Sequence, residues 1–339
     1  MKRLVSLAVI AVLFLTLLAG CGRAEDANSA PVVDAGKAQV NVTAIAGPTG
    51  VGLVNLMQQN DQKTAKNEYT FNLVGDPQQA VAAITNKTAD IAAVPTNLAS
   101  TLYKRTGGGV QVLALNTLGV LYMLENGNSI ESVADLRGKT IYTSGQGANP
   151  EYILNYVLES NGLDPKKDVT IQFVPDNDAL VAAIVSNQAQ VAMVPEPKLT
   201  ACKVQMKAAG KTVPNTVLNM TEEWEKVANG DSALVMGCVI ARTDFVKENS
   251  AAVKAFLKEY EASINQVKED VETAASLCES YQVIPKAAIA KQAIPNCNLT
   301  YVAGSAMKKQ LSGYLQVLYK YNPAAIGGAV PADDFYYGQ

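Results

Sequence analysis

FNLVGDPQQAVAAITNKTADIAAVPTN (residues 71–97) and IQFVPDNDALVAAIVSNQAQVAMVPEP (residues 171–197) are one stretch written twice, offset by 100 positions without a gap. Val74, Asp76, Val81, Ala82, Ala83, Ile84, Ala89, Ala92, Val94 and Pro95 return as Val174, Asp176, Val181, Ala182, Ala183, Ile184, Ala189, Ala192, Val194 and Pro195. Leu73-Val74 ends a strand. Asp76 and Asp176 stand where a carboxylate caps the next helix by accepting from its free N–H groups. Ala80, Val81, Ile84 and their counterparts supply an apolar stripe near helical spacing. Asp90-Ile-Ala-Ala-Val and Gln190-Val-Ala-Met-Val are too short for helices and apolar enough for buried parallel strands. Strand, helix and strand in this order give a βαβ unit with a right-handed crossover. A period of 100 residues is too long for a solenoid and fits two similar domains, each holding one copy.

Working outward, each copy follows a similar introduction. Gln39 to Ile45 alternates as a first strand, and Gly47-Pro-Thr-Gly-Val-Gly leads into a helix. In the second half, Lys139-Thr-Ile-Tyr precedes Thr143-Ser-Gly-Gln-Gly-Ala-Asn-Pro-Glu-Tyr and a helix from Ile153 to Ser160. A Gly-rich turn before a helix lets a ligand approach backbone N–H groups. The first turn has neither P-loop nor GxGxxG spacing. Asn116 to Val120 reads as the first crossing between domains, and Leu234 to Ala241 as a buried return strand. Thr212 to Ala233 reads as a polar meander with one short helix. The C-terminal third reads as all-helical, covering the first domain's sheet, with a surface tail carrying an aromatic latch. The expected fold is α/β: two Rossmann-like lobes with mixed, mostly parallel sheets on a two-crossing hinge. The first lobe takes residues 38–117 and 236–339; the second takes 118–235.

The first 37 residues stand apart. Lys2, Arg3 and the apolar run Leu4 to Leu18 read as a signal peptide of residues 1–20, ending in Leu18-Ala19-Gly20-Cys21. Cys21 is the expected lipidation site, and residues 21–37 read as a polar tether. What remains after residue 20 is 339 − 20 = 319 residues, enough for two cores. A net charge of −3 argues against a nucleic-acid partner. The chain has no histidine, which removes His-based acid/base catalysis, His triads and His metal ligands. Cys202, Cys238, Cys278 and Cys297 contain no CxxC pair, so a zinc site is not expected; disulfides and buried thiols both remain open.

In open parallel sheets, ligands sit beyond the carboxyl ends of the strands. The turns there carry Thr49, Gly50, Thr96, Asn97, Asn116, Thr117, Ser144, Gly145, Gln146, Gly147 and Glu196. These are hydroxyls, amides, glycine backbone and a carboxylate: a hydrogen-bonding site without catalytic, metal or cofactor chemistry. Thr49 and Ser144 have the alternative role of helix caps, and Glu196 that of a helix N-terminal charge. Glu196 and Glu151 oppose an anion, whereas helix N-termini at Thr49 and Gly147 would favour one; the balance leans slightly to a small polar or anionic solute. Tyr122 and Tyr152 are placed either on the cleft wall or in the core, and Trp224 in surface packing.

This order of parts, with the lipobox, resembles a type II solute-binding lipoprotein of bacterial ABC importers. The group is the nitrate/taurine/sulfonate type, which includes the binders of thiamin-pyrimidine precursors. The stretches that carry the resemblance are Asp90 to Asn97, Asp135 to Ile141, Gln190 to Pro197 and Asp244 to Asn249. It implies a monomer, tethered outside the cytoplasmic membrane, that captures a solute between lobes and delivers it to an ABC permease. The rival partner is a membrane receptor that senses the solute. A yeast-type pyrimidine synthase shares the fold but consumes an active-site histidine, which this chain lacks.

Overall fold

The computed structural model describes residues 36–338; the expected signal peptide, Cys21 and all of the tether except residues 36 and 37 lie outside them. The strands are β1 Gln39–Ile45, β2 Glu68–Val74, β3 Ile91–Pro95, β4 Val110–Leu118, β5 Leu121–Glu125, β6 Thr140–Thr143, β7 Thr170–Phe173, β8 Val191–Pro195, β9 Asn215–Asn219, β10 Val235–Arg242 and β11 Leu299–Val302. They form a six-stranded sheet in the order β11-β4-β10-β3-β1-β2 and a five-stranded sheet in the order β7-β6-β8-β5-β9.

The duplicated stretch builds the same motif in both sheets. β1 lies between β2 and β3, parallel to each, with Ile45 opposite Val74 and Ala44 opposite Ala93. β6 lies likewise between β7 and β8, with Tyr142 opposite both Gln172 and Ala192. The two strands of each copy therefore flank an earlier strand instead of pairing with each other. The crossover helices are Pro77–Thr85 and Asn177–Val185. Asp76 accepts the Gln78 N–H and Asp176 the Ala179 N–H, both at 2.8 Å. Ala80, Val81 and Ile84 are buried on the first helix; Leu180, Ala183 and Ile184 are buried on the second.

β10 runs antiparallel between β3 and β4, and β5 runs antiparallel between β8 and β9, which makes both sheets mixed. Asp90 and Asp244, from two of the stretches quoted above, meet around Arg242, whose guanidinium reaches them at 2.8 and 2.9 Å. Asp90 precedes β3, at the end opposite to Pro95 and Asn97. These residues anchor strands and lie away from the turns that carry the expected site.

Five expectations need correction. Asn116 and Thr117 are not in a turn: β4 runs on to Leu118, because Leu115 and Thr117 still pair with β10 and β11. The supposed meander contains β9, which extends the second sheet by pairing with β5. The C-terminal third is not all-helical, since β11 pairs with β4. Trp224 is not a surface residue. It is fully buried against Tyr156 and Tyr314, and its indole N–H donates to Ser232 Oγ at 3.0 Å. The tail is a latch but not a surface one: Phe335 is fully buried beside Tyr103. The helix Gly304–Tyr321 packs against strands of the first sheet and against the second-half helix Asn149–Ser160. One apolar cluster runs accordingly from Val94 and Leu115 through Tyr314 to Ile141 and Trp224.

Candidate functional site

The carboxyl end of the first sheet is organised by Asn116. Its side-chain N–H groups donate to the Thr49 carbonyl at 3.2 Å and to Tyr260 Oη at 2.9 Å. Only a nitrogen can face a carbonyl oxygen, so the amide orientation is fixed. Its Oδ1 is buried and has no partner, and Thr117 Oγ1 beside it is in the same condition. Gly237 of β10 closes this group. A Cβ there would stand 2.4 Å from Asn116 Oδ1, 2.7 Å from Thr49 Cγ2 and 2.9 Å from Thr117 Cβ. Sequence reasoning missed Gly237 because it sits inside a strongly apolar strand. The signal was a glycine in the middle of that strand, which marks close approach.

Gly50 has a different role from the expected one. Its N–H is spent on the Gly47 carbonyl at 2.9 Å, as is that of Val51 at 3.2 Å. A Cβ at Gly50 would lie 2.7 Å from the Ile45 carbonyl oxygen, so its own turn demands glycine. Thr49 is half-buried, and its hydroxyl reaches only the Ile45 carbonyl at 3.5 Å. Thr96 is fully buried and ties the helix after β3 to the Val235 carbonyl at 2.7 Å.

Contacts between the two halves come next. Asn97 Oδ1 accepts from Asn149 Nδ2 at 3.1 Å. Asn149 Oδ1 is buried and unpartnered. Asn149 opens the helix after β6, whose N-terminus was expected at Ile153. Ser144 donates to Asn177 Oδ1 at 2.7 Å. Gln146 and Gly147 are exposed, and the Gly147 N–H is taken by the Glu151 carboxylate at 2.6 Å. Gly145 adopts φ 81°, and a Cβ on it would meet Pro150 at 2.9 Å.

Glu196, at the end of β8, is 3% exposed. It accepts the Thr200 hydroxyl at 2.9 Å, the Thr200 N–H at 3.2 Å and Asn296 Nδ2 at 3.3 Å. Burial pushes its carboxyl above the ordinary range, against these hydrogen bonds and the Lys203 charge. The Asn296 carbonyl also accepts from Tyr122 Oη at 2.7 Å, so this pair joins the halves a second time. Tyr122 and Tyr152 are both buried; Tyr152 Oη donates to the Gly147 carbonyl at 2.6 Å. The turns thus come together at Thr49, Asn116, Thr117 and Gly237, at Asn97 with Asn149, and at Glu196 with Asn296. A cavity of about 1040 Å³ opens elsewhere, beside Tyr152, Glu159 and Tyr321, and of the expected turn residues only Glu151 lines it. All four cysteines from Cys202 onward are buried and free.

The model of the family described as NMT1/THI5 like matches residues 69–274. No curated protein matches the chain. Among solved structures, an ABC transporter from Parabacteroides distasonis is similar at 17% identity and a TM-score of 0.73, covering 89% of this chain and all of its own. The periplasmic aliphatic sulphonate binding protein SsuA from Escherichia coli is similar at 13% identity and a TM-score of 0.65, covering 88% of this chain and 96% of its own. The alkanesulfonate-binding protein SsuA from Xanthomonas axonopodis pv. citri, bound to MOPS, is similar at 15% identity and a TM-score of 0.59, with coverage of 88% and 96%. These likenesses establish the fold.

Proposed function

Because the chain belongs to the NMT1/THI5-like family, we propose that it is the extracytoplasmic solute-binding component of an ABC importer, a binder and not an enzyme. It captures a small polar solute between two lobes and hands it to a membrane permease. The lobes comprise residues 38–117 with 236–339, and residues 118–235. Cys21 carries the lipid anchor that holds the protein at the membrane, and it acts as a monomer. The solute meets Thr49, Asn116, Thr117 and Asn97 from one lobe, and Ser144, Asn149 and Glu196 from the other.

One observation carries this reading. Two sheets built on the same duplicated motif, joined by two crossings, bring their strand-end residues into direct contact at Asn97 and Asn149. Contacts that a solute makes with both lobes favour the closed form over an open one. Small-angle scattering of solute-stripped protein, with and without a small-molecule extract of the cells that make it, tests this. Compaction in the extract is expected; superimposable profiles would overturn the reading.

A further inference from the structure

We infer that Asn229 is a site of spontaneous covalent modification, converting to aspartate and isoaspartate in the folded protein ahead of the other two Asn-Gly pairs of the chain. Those pairs are Asn126-Gly127 and Asn161-Gly162. An asparagine before glycine closes readily into a five-membered imide, because glycine has no Cβ to obstruct its own backbone nitrogen. The sequence makes the three pairs equal; the fold does not.

Asn229 is the left-handed residue that ends the helix Met220–Ala228, with φ 49°. It and Gly230 are both exposed. Among the described residues, the Asn229 side chain has no hydrogen-bond partner, and neither does the Gly230 N–H. The reacting atoms, Asn229 Cγ and the Gly230 nitrogen, are therefore held by no partner, whichever way the amide is turned. Asn126 is held twice. Its N–H donates to the Gln190 carbonyl at 2.8 Å, and its side chain donates to Asn187 Oδ1 at 2.5 Å and Gln190 Oε1 at 3.3 Å. Asn161 donates from its side chain to the Val157 carbonyl at 2.8 Å, and the Gly162 N–H is spent on the Glu159 carbonyl at 3.0 Å. Reaction at either of these pairs must first open such bonds.

The step consumes only water. The Gly230 nitrogen loses its proton and attacks Asn229 Cγ. The Cγ–Nδ2 bond breaks, and the amide nitrogen leaves with a proton as ammonia. Water then opens the imide at one or other carbonyl, giving aspartate or isoaspartate. Either product places a carboxylate at a helix C-terminus, where negative charge is unfavourable. Isoaspartate also lengthens the backbone just before Asp231 and Ser232, which lead towards β10. Gly313 packs so closely there that a Cβ on it would stand 2.3 Å from the Asp231 carbonyl oxygen.

Peptide mapping by mass spectrometry tests this. The native protein is incubated in mildly alkaline buffer made with heavy-oxygen water, which marks conversion during the incubation, and is then digested with trypsin. A parallel sample is held unfolded in urea. In the native protein, Asn229 is expected to convert about fivefold or more faster than Asn126 and Asn161. In urea the three are expected to convert at similar rates. Conversion at Asn126 or Asn161 as fast as at Asn229 in the native protein, or no conversion at Asn229, would overturn the inference. So would the same preference for Asn229 in urea, since the fold would then not be its source.

Discussion

Asn149 donates to Asn97 at 3.1 Å, joining the helix start after β6 in one sheet to the helix start after β3 in the other. In the proposed two-lobe closure, a bond of this kind exists only while the two halves are together. A neutral hydrogen bond contributes about 0.5–1.5 kcal/mol net. Asn97→Ala should therefore weaken solute affinity about two- to tenfold by favouring the open form. Calorimetric titration checks this, and the melting temperature of the solute-free protein should change little.

Gly237→Ala places a methyl group into Asn116 Oδ1, Thr49 and Thr117 at once. Overpacking of this kind costs about 1–3 kcal/mol. The larger effect falls on binding, because all three neighbours are displaced together. Loss of measurable solute binding in a protein that still melts cooperatively is the expected outcome.

Glu196 gives a pH signature of known sign. Its folded carboxyl titrates above the unfolded range because it is buried. Its stabilising contribution is complete below the unfolded pKa and is lost as pH rises through the raised folded value. Glu196→Gln stays neutral throughout. The melting temperature of the variant relative to the native protein should climb as pH rises above the ordinary glutamate range.

Glu125 predicts the reverse. Burial opposes its charge, but donation from the Ser129 hydroxyl and N–H and the Ile130 N–H, with Lys139 nearby, outweighs burial and lowers the carboxyl below the ordinary range. Its contribution is present above the unfolded pKa and is lost as pH falls through the lowered folded value. Glu125→Gln should cost about 2 kcal/mol at neutral pH, since hydrogen bonds to a charged group are the stronger kind. Thermal melts across the acid range should show the deficit shrinking.

Much of the fold was legible because the repeat carries local signals. Asp76 and Asp176 cap, the stripe at Val81 and Ile84 buries, and Pro95 and Pro195 end their strands, all as the spacing requires. β9 and β11 were not legible, because strands of four or five residues are recruited by the edge they join and are too short to show a pattern of their own. Trp224 was misplaced because its helix is polar on one face, and its burial comes from Tyr156 and Tyr314, distant in sequence. The site residues were found as strand-end turns, but their roles were not. Gly50 serves its own backbone, Thr96 ties down Val235, and what Gly237 approaches shows only with β4 beside it. Hydrogen-bond partners set those roles, and partners across sheets leave no trace in local spacing.

The central claim is that two lobes close on a solute. Spin labels at Lys166→Cys and Lys247→Cys, both exposed positions on opposite halves, report on this directly, since the native thiols from Cys202 onward are buried. Pulsed electron resonance distances should shift to a shorter, narrower distribution on saturation with its solute, supplied as a small-molecule extract of the cells that make the protein. One unchanged distribution with and without that solute would contradict the account.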